Sequence, residues 1–204
     1  RPAAEAVVRA HQRLKKRGLG MLIHDAYRPW HVTKMFWDAT PAKLKDFVAN
    51  PADGSRHNRG CAVDLTLYEL STDKPIQMVA GYDEFSPRSF PSYPGGTSRQ
   101  RWYRELLRRT MEAEGFTIYE YEWWHFDYKD WKKYRIGNVI FEEVLRQATA
   151  PRKESSKSFG FEIEHTVVRG GYDGTRRWVH AGAFAIPPDA DLGAPQVVMT
   201  AQEH

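Results

Sequence analysis

The chain of 204 residues contains a single cysteine, Cys61. No internal disulfide can brace it, so the fold must rest on its core. It has no run approaching the roughly 20 apolar residues that a membrane-spanning helix needs. It also lacks a strong charge of one sign: 30 Lys and Arg stand against 26 Asp and Glu, for a formal net charge of +4. Basic clusters at 13–17 and 99–109 read as exposed helix faces. They lack the aromatic interleaving and fold signatures of nucleic-acid readers, so no nucleic-acid partner is expected. Internal repeats and low-complexity tracts are missing as well. Cys61 sits between Gly60 and Ala62 and reads as a small buried hydrophobe.

What is present is apolar material for a real core, with 41% hydrophobic and 13% aromatic residues. The length fits one domain with an appendage. Ala6, Val7, Ala10 and Leu14 recur at helical spacing, and Gly18 stops that helix. Residues 19–26 read as a buried strand, 31–38 and 41–49 as helices, and 62–69 as an alternating strand. A long irregular segment follows at 71–98, of the kind that is often functional in a compact domain. Residues 100–115 read as a basic amphipathic helix, 116–128 as an aromatic strand and 137–149 as a helix. The fold class expected is α+β, an antiparallel sheet with helices packed around it. The division expected is a catalytic domain at 1–149, a polar linker at 150–158, and a β-rich extension or truncated second domain at 159–204, with strands at 161–169 and 177–186. The chain starts at Arg1 inside a helical pattern, so further sequence upstream is expected.

Two stretches carry the chemistry. The first is Ser55-Arg56-His57-Asn58-Arg59-Gly60-Cys61-Ala62-Val63-Asp64, and the second is Glu122-Trp123-Trp124-His125. They supply two imidazoles, a carboxylate ligand and a spare carboxylate. Those are the parts of an open catalytic zinc site and its general base. Gly60 allows a tight bend between His57 and Asp64. Glu122 and His125 are three apart, and a regular strand would send them to opposite faces. A bend or bulge at Trp123-Trp124 is therefore expected to re-aim one of them. Asp127, two residues past His125, is placed to orient that ligand.

The pattern Ser-x-His-x-x-Gly-x-Ala-x-Asp at 55–64, followed by Glu-x-Trp-His at 122–125, resembles the zinc D-alanyl-D-alanine peptidases, which share their fold with the Hedgehog signalling domain. The double-Trp form EWWHF at 122–126 and Asp25-Ala26-Tyr27-Arg28-Pro29 upstream resemble the D-alanyl-D-alanine dipeptidase branch. The similarity covers roughly residues 5–145. It implies one zinc per chain held by His57, Asp64 and His125, with Glu122 as general base and acid. It implies Arg28 facing the oxyanion, Asp83 holding the ammonium of a small D-amino-acid dipeptide, and Ser55 assisting substrate binding. Tyr27 and Trp124 are candidates to wall the pocket. The reaction implied is hydrolysis of D-Ala-D-Ala to two D-alanines. Two rivals stand beside it: a carboxypeptidase or endopeptidase acting on peptidoglycan stems, and a non-catalytic zinc module that binds peptides or a partner protein. Oligomeric state stays open, and localisation stays open between cytoplasm and periplasm.

Overall fold

A computed structural model describes residues 2–149 and two short strands at 183–185 and 198–200. Helix α1 (Pro2–Lys15) leads into β1 (Leu19–Asp25), α2 (Trp30–Ala39) and β2 (Ala62–Glu69). Helix α3 (Ser98–Glu112), the hairpin β3 (Phe116–Tyr119) and β4 (Glu122–Tyr128), and α4 (Phe141–Thr149) follow, with β5 (Ala183–Ala185) and β6 (Val198–Thr200) last. The strands form one sheet in the order β3-β4-β2-β1-β5-β6, antiparallel at every junction. The molecule is α+β. Among the described residues no helix is long and apolar enough to cross a membrane. The linker and domain division expected at 150–158, and the strand at 161–169, lie outside the described residues.

The alternation along β2 divides the sheet into two chemically different faces. Val63, Leu65 and Leu67 join Met21, Trp124 and Phe126 in the apolar core. Helices α1 and α3 cover that face with Leu107 and Met111 and with Ala6, Val7, Ala10 and Leu14, the four whose helical spacing marks them as core candidates. Asp64 and Thr66, offset by one, are directed to the other face yet are equally buried. Gly20 lies opposite Tyr68 in the register of β1 and β2, and a Cβ there would run into the Tyr68 ring. Here glycine lets an aromatic side chain lie across the neighbouring strand.

One polar clamp ties α1 to the far end of α3. Glu114 receives Arg9 Nε and Arg13 Nε, each at 2.7 Å, on its two carboxylate oxygens, and its side chain is only 6% exposed. Burial alone would raise the Glu114 pKa, but the hydrogen bonds from Arg9 and Arg13 outweigh it and hold it low. A depressed carboxyl contributes stability above its unfolded value of about 4.3, and that stability is lost as pH falls through the folded value. Glu114→Ala is therefore expected to cost about 2 kcal/mol at pH 7 and much less at pH 3, read from denaturant melts at both. An equal loss at both pH values would show that the clamp acts through packing alone.

Two local expectations are corrected. Residues 41–49 do not form an α-helix; the chain makes a 3-10 helix at Ala42–Phe47. That segment buries no residue and its N-cap Pro41 makes no side-chain capping bond, so neither packing nor capping supports a full helix. Residues 116–128 are not one strand but two, joined by a turn at Glu120-Tyr121 that carries no Gly, Pro or Asn signal. In that hairpin Ile118 pairs with Phe126 and the next residue, Tyr119, pairs with Glu122. Trp123, Trp124 and His125 have no counterpart on β3, so the irregularity falls on the stretch where a bulge was expected.

Candidate active site

His57 enters on a single 3-10 turn, His57–Arg59, closed by Gly60 at φ 60°. That left-handed conformation suits glycine and turns the chain straight into β2. Asp64 lies directly opposite His125 in the β2–β4 register, so both side chains leave the same face. The three candidate ligands converge. His125 Nδ1 lies 2.9 Å from Asp64 Oδ1, His57 Nε2 lies 3.4 Å from the same oxygen, and the two ring nitrogens are 3.2 Å apart. All three residues are buried.

This triangle fits a metal ion. Zinc–ligand distances of about 2.0–2.2 Å in a tetrahedron give ligand–ligand edges of roughly 3.3 Å. Asp64 Oδ1 accepts no well-aligned hydrogen bond although it is fully buried, as expected of an oxygen kept for a cation. The outer nitrogens are already engaged. His57 Nδ1 faces the Ala26 carbonyl at 2.8 Å, and His125 Nε2 faces Asp127 Oδ1 at 3.0 Å. Each contact leaves the inner nitrogen with its lone pair toward the centre.

Charge is concentrated around this point. Burial would raise the Asp64 pKa, but the His57 and His125 imidazoles hold it well below the usual carboxylate range. Burial disfavours a charged His125, yet Asp64 and Asp127 outweigh burial and push it up to about 10. Glu122 Oε2 lies 3.7 Å from His125 Nδ1, next to the triad and outside it. Burial pushes Glu122 up to about 8; Asp64 and Asp83 add to the rise, while His125 and Arg28 oppose it.

Arg28 sits at the mouth of α2. Its Nε and Nη2 both donate to Asp25 Oδ2, at 2.8 and 2.5 Å, and its guanidinium lies 4.8 Å from the Phe36 ring centre. Burial works against its charge, but Asp25 and Asp64 keep it protonated. Asp83 stands part-buried at φ 55°, a left-handed position uncommon outside glycine that aspartate adopts more readily than most residues. Burial pushes its carboxyl up to about 7, with Asp64 and Asp25 adding to the rise and Arg28 and His125 opposing it. Its loop is held by Glu84, whose carboxylate accepts from Gly81 N at 3.0 Å and Ser86 Oγ at 2.6 Å. Phe85 of the same loop stacks on Phe47, ring centres 4.9 Å apart.

Ser55 and Tyr27 are placed beside the site with their hydroxyls engaged. Ser55 Oγ accepts the His57 backbone N–H at 3.2 Å, which fixes the turn carrying that ligand. Tyr27 Oη donates to the Val139 carbonyl at 3.1 Å and accepts from Val139 N at 2.9 Å. Trp124 packs in the apolar core and meets Tyr82 edge-on at 5.6 Å.

Four participants escaped the sequence reading. Asn58 is buried and donates to both the Arg28 carbonyl and Thr33 Oγ1 at 2.8 Å, while its own Oδ1 accepts from Ser55 N at 2.7 Å. It links the His57 turn to the segment bearing Arg28. Asp25 holds Arg28. Tyr82 stacks on His24 at 4.2 Å and directs its hydroxyl to Asp64 Oδ2 at 3.4 Å. Arg56 donates to Asp127 Oδ2 at 2.6 Å. Asn58 and Arg56 occupy variable positions of the first motif, and only their three-dimensional partners give them away.

A sequence profile described as D-Ala-D-Ala dipeptidase matches residues 1–142. The chain is 32% identical over 146 residues to the D-alanyl-D-alanine dipeptidase of Enterococcus faecium, covering 62% of this chain and 71% of that one. Against the D-alanyl-D-alanine dipeptidase of Escherichia coli K12 it is 38% identical over 110 residues, 54% of this chain and 55% of the relative. Against that of Streptomyces coelicolor it is 33% identical over 141 residues, covering 61% and 70%. The chain thus spans a little over half of the E. coli relative's length. The profile match runs from α1 into α4 and takes in every residue of the site, and the chain belongs to the D-Ala-D-Ala dipeptidase family of peptidases.

Proposed function

We propose that this chain hydrolyses the free dipeptide D-Ala-D-Ala to two D-alanines, with one zinc ion held by His57 Nε2, Asp64 Oδ1 and His125 Nδ1. Bound there, zinc would supply a Lewis acid that lowers the pKa of a water to roughly 7. The observation that carries the reading is the convergence of His57, Asp64 and His125 on one buried point, with the carboxylate of Glu122 3.7 Å from His125 Nδ1 and outside that triad. A binding module has no need of a buried spare carboxylate poised next to its metal.

Roles follow from position. Glu122 takes the proton of the attacking water and delivers it to the leaving amine as the C–N bond breaks. Arg28, oriented by Asp25, faces the negative charge that develops on the carbonyl oxygen. Asp83 meets the substrate ammonium, since a buried carboxylate gains most from a paired cation. The charges around the centre support this. Among the described residues, Arg28 pairs with Asp25 and Arg56 with Asp127, and burial holds the Glu122 and Asp83 carboxyls up, so a divalent metal and a substrate ammonium beside them would favour their ionised forms. Ser55 acts on substrate only indirectly in this scheme, by fixing His57.

Metal removal tests the proposal. Chelator-treated protein is expected to release no D-alanine from D-Ala-D-Ala, and one equivalent of zinc is expected to restore turnover. Undiminished turnover after complete metal removal would contradict it.

A further inference from the structure

The segment that delivers His57 also reaches around the back of the other histidine. Ser55 Oγ takes the His57 N–H, and the next side chain, Arg56, crosses to Asp127 on β4. Asp127 is held from both sides: Oδ2 accepts from Arg56 Nη1 at 2.6 Å, and Oδ1 lies 3.0 Å from His125 Nε2. Its side chain is 9% exposed, whereas that of Arg56 is 37% exposed. Arg56 is in turn fixed by Trp131, whose ring centre lies 4.8 Å from its Cζ and 5.6 Å from that of Arg59. A continuous chain therefore runs from the surface through Trp131, Arg56, Asp127 and His125 to the metal triad.

His125 has two nitrogens and must choose between them. Nδ1 lies within the triangle of ligand atoms, and Nε2 lies against Asp127. We propose that Asp127, oriented by Arg56, is the positioning residue that keeps the proton of neutral His125 on Nε2 and so commits Nδ1 to the metal, and that this Arg56–Asp127 pair sets the affinity of the site for zinc. An anionic acceptor behind a ligating imidazole both fixes its ring orientation and raises its basicity. Arg56 makes the arrangement tolerable by supplying a cation to a buried carboxylate that would otherwise have only the His125 ring as its charged partner. The backbone of His57 and, through Asp127, the imidazole of His125 are thereby braced by consecutive residues of one turn, so a disturbance at residue 56 reaches His125 without touching it.

The inference rests on the metal-site reading above and not on the substrate, and zinc affinity tests it directly. Zinc dissociation constants, measured by competition with a chromophoric chelator, are compared for the wild type, D127N, D127A, R56A and the double variant R56A/D127A. Removing the acceptor in D127A is expected to weaken zinc by about 10- to 100-fold. D127N, which keeps an acceptor oxygen and drops the charge, is expected to weaken it about three- to tenfold. R56A should fall in between, and the double variant should be no weaker than D127A, because both changes cut one chain. Ring-nitrogen NMR of the zinc-loaded wild type should show His125 protonated at Nε2, and D127A should lose that single tautomer. A structural role alone would lower the melting temperature of the metal-free protein and leave zinc affinity and tautomer unchanged. Folded D127N or D127A binding zinc within twofold of the wild type would overturn the inference. A wild type that binds no zinc would refute the metal-site reading itself.

Discussion

Glu122→Gln is expected to lower turnover of D-Ala-D-Ala by about 10²- to 10⁴-fold while leaving one zinc bound per chain. The reason is positional. Glu122 Oε2 lies 3.7 Å from His125 Nδ1, outside the triangle whose edges measure 2.9 to 3.4 Å. Glutamine keeps the size and one hydrogen-bonding oxygen, but it can neither accept the water proton nor return it to the amine. The pH profile carries a second signature. A base works only when ionised, and burial pushes Glu122 up to about 8 in the metal-free protein. A dication beside it favours the ionised form, so the acid limb of the wild-type profile is expected below pH 8. Loss of zinc from Glu122→Gln would make Glu122 a ligand, and full activity would remove it from the mechanism.

Arg28→Met is expected to lower kcat by about 10²- to 10³-fold, with a smaller change in KM. Its guanidinium is held in place before any substrate arrives, by two hydrogen bonds to one Asp25 oxygen and by the Phe36 ring. A preoriented cation gives most of its benefit where charge develops in the transition state, which is why the loss should fall on kcat. Methionine also leaves Asp25 without this partner, so some stability is lost too. Arg28→Lys separates the two effects: it retains the charge and loses the forked contact, and it should recover stability more fully than rate. A purely KM effect in Arg28→Met would recast Arg28 as a ground-state binding residue.

The sheet was legible because its strands announce themselves. Residues 19–26 and 62–69 were read as strands, and the structure places strands at Leu19–Asp25 and Ala62–Glu69. Continuous burial of β2 combined with strict chemical alternation defines such a segment well. The candidate ligands stood out through the family resemblance that the two motif blocks carry, since each residue alone has commoner uses, and the structure brings His57, Asp64 and His125 together. The support around them was not legible. Arg56 and Asp127 are 71 residues apart, and Tyr82 reaches Asp64 from a loop without regular structure. Asn58 does its work by joining Ser55 of its own turn to Arg28 and Thr33 some 25 to 30 residues upstream. Such contacts depend on register and on where loops return, which local pattern does not encode. The 3-10 turn at Ala42–Phe47 and the hairpin corner at Glu120-Tyr121 were missed for the related reason that their signals are weak and tertiary context decided them.

The central claim is that the site is built for a free dipeptide with a charged amino end. Release of D-alanine by the zinc-loaded protein, compared between D-Ala-D-Ala and its N-acetylated form, tests it most directly. Cleavage of the free dipeptide, with the acetylated form lower by about 100-fold or more in kcat/KM, is the result expected from an ammonium buried against Asp83. Equal or faster cleavage of the acetylated form would contradict the dipeptidase reading and place the chain among peptidases that act on longer peptidoglycan stems.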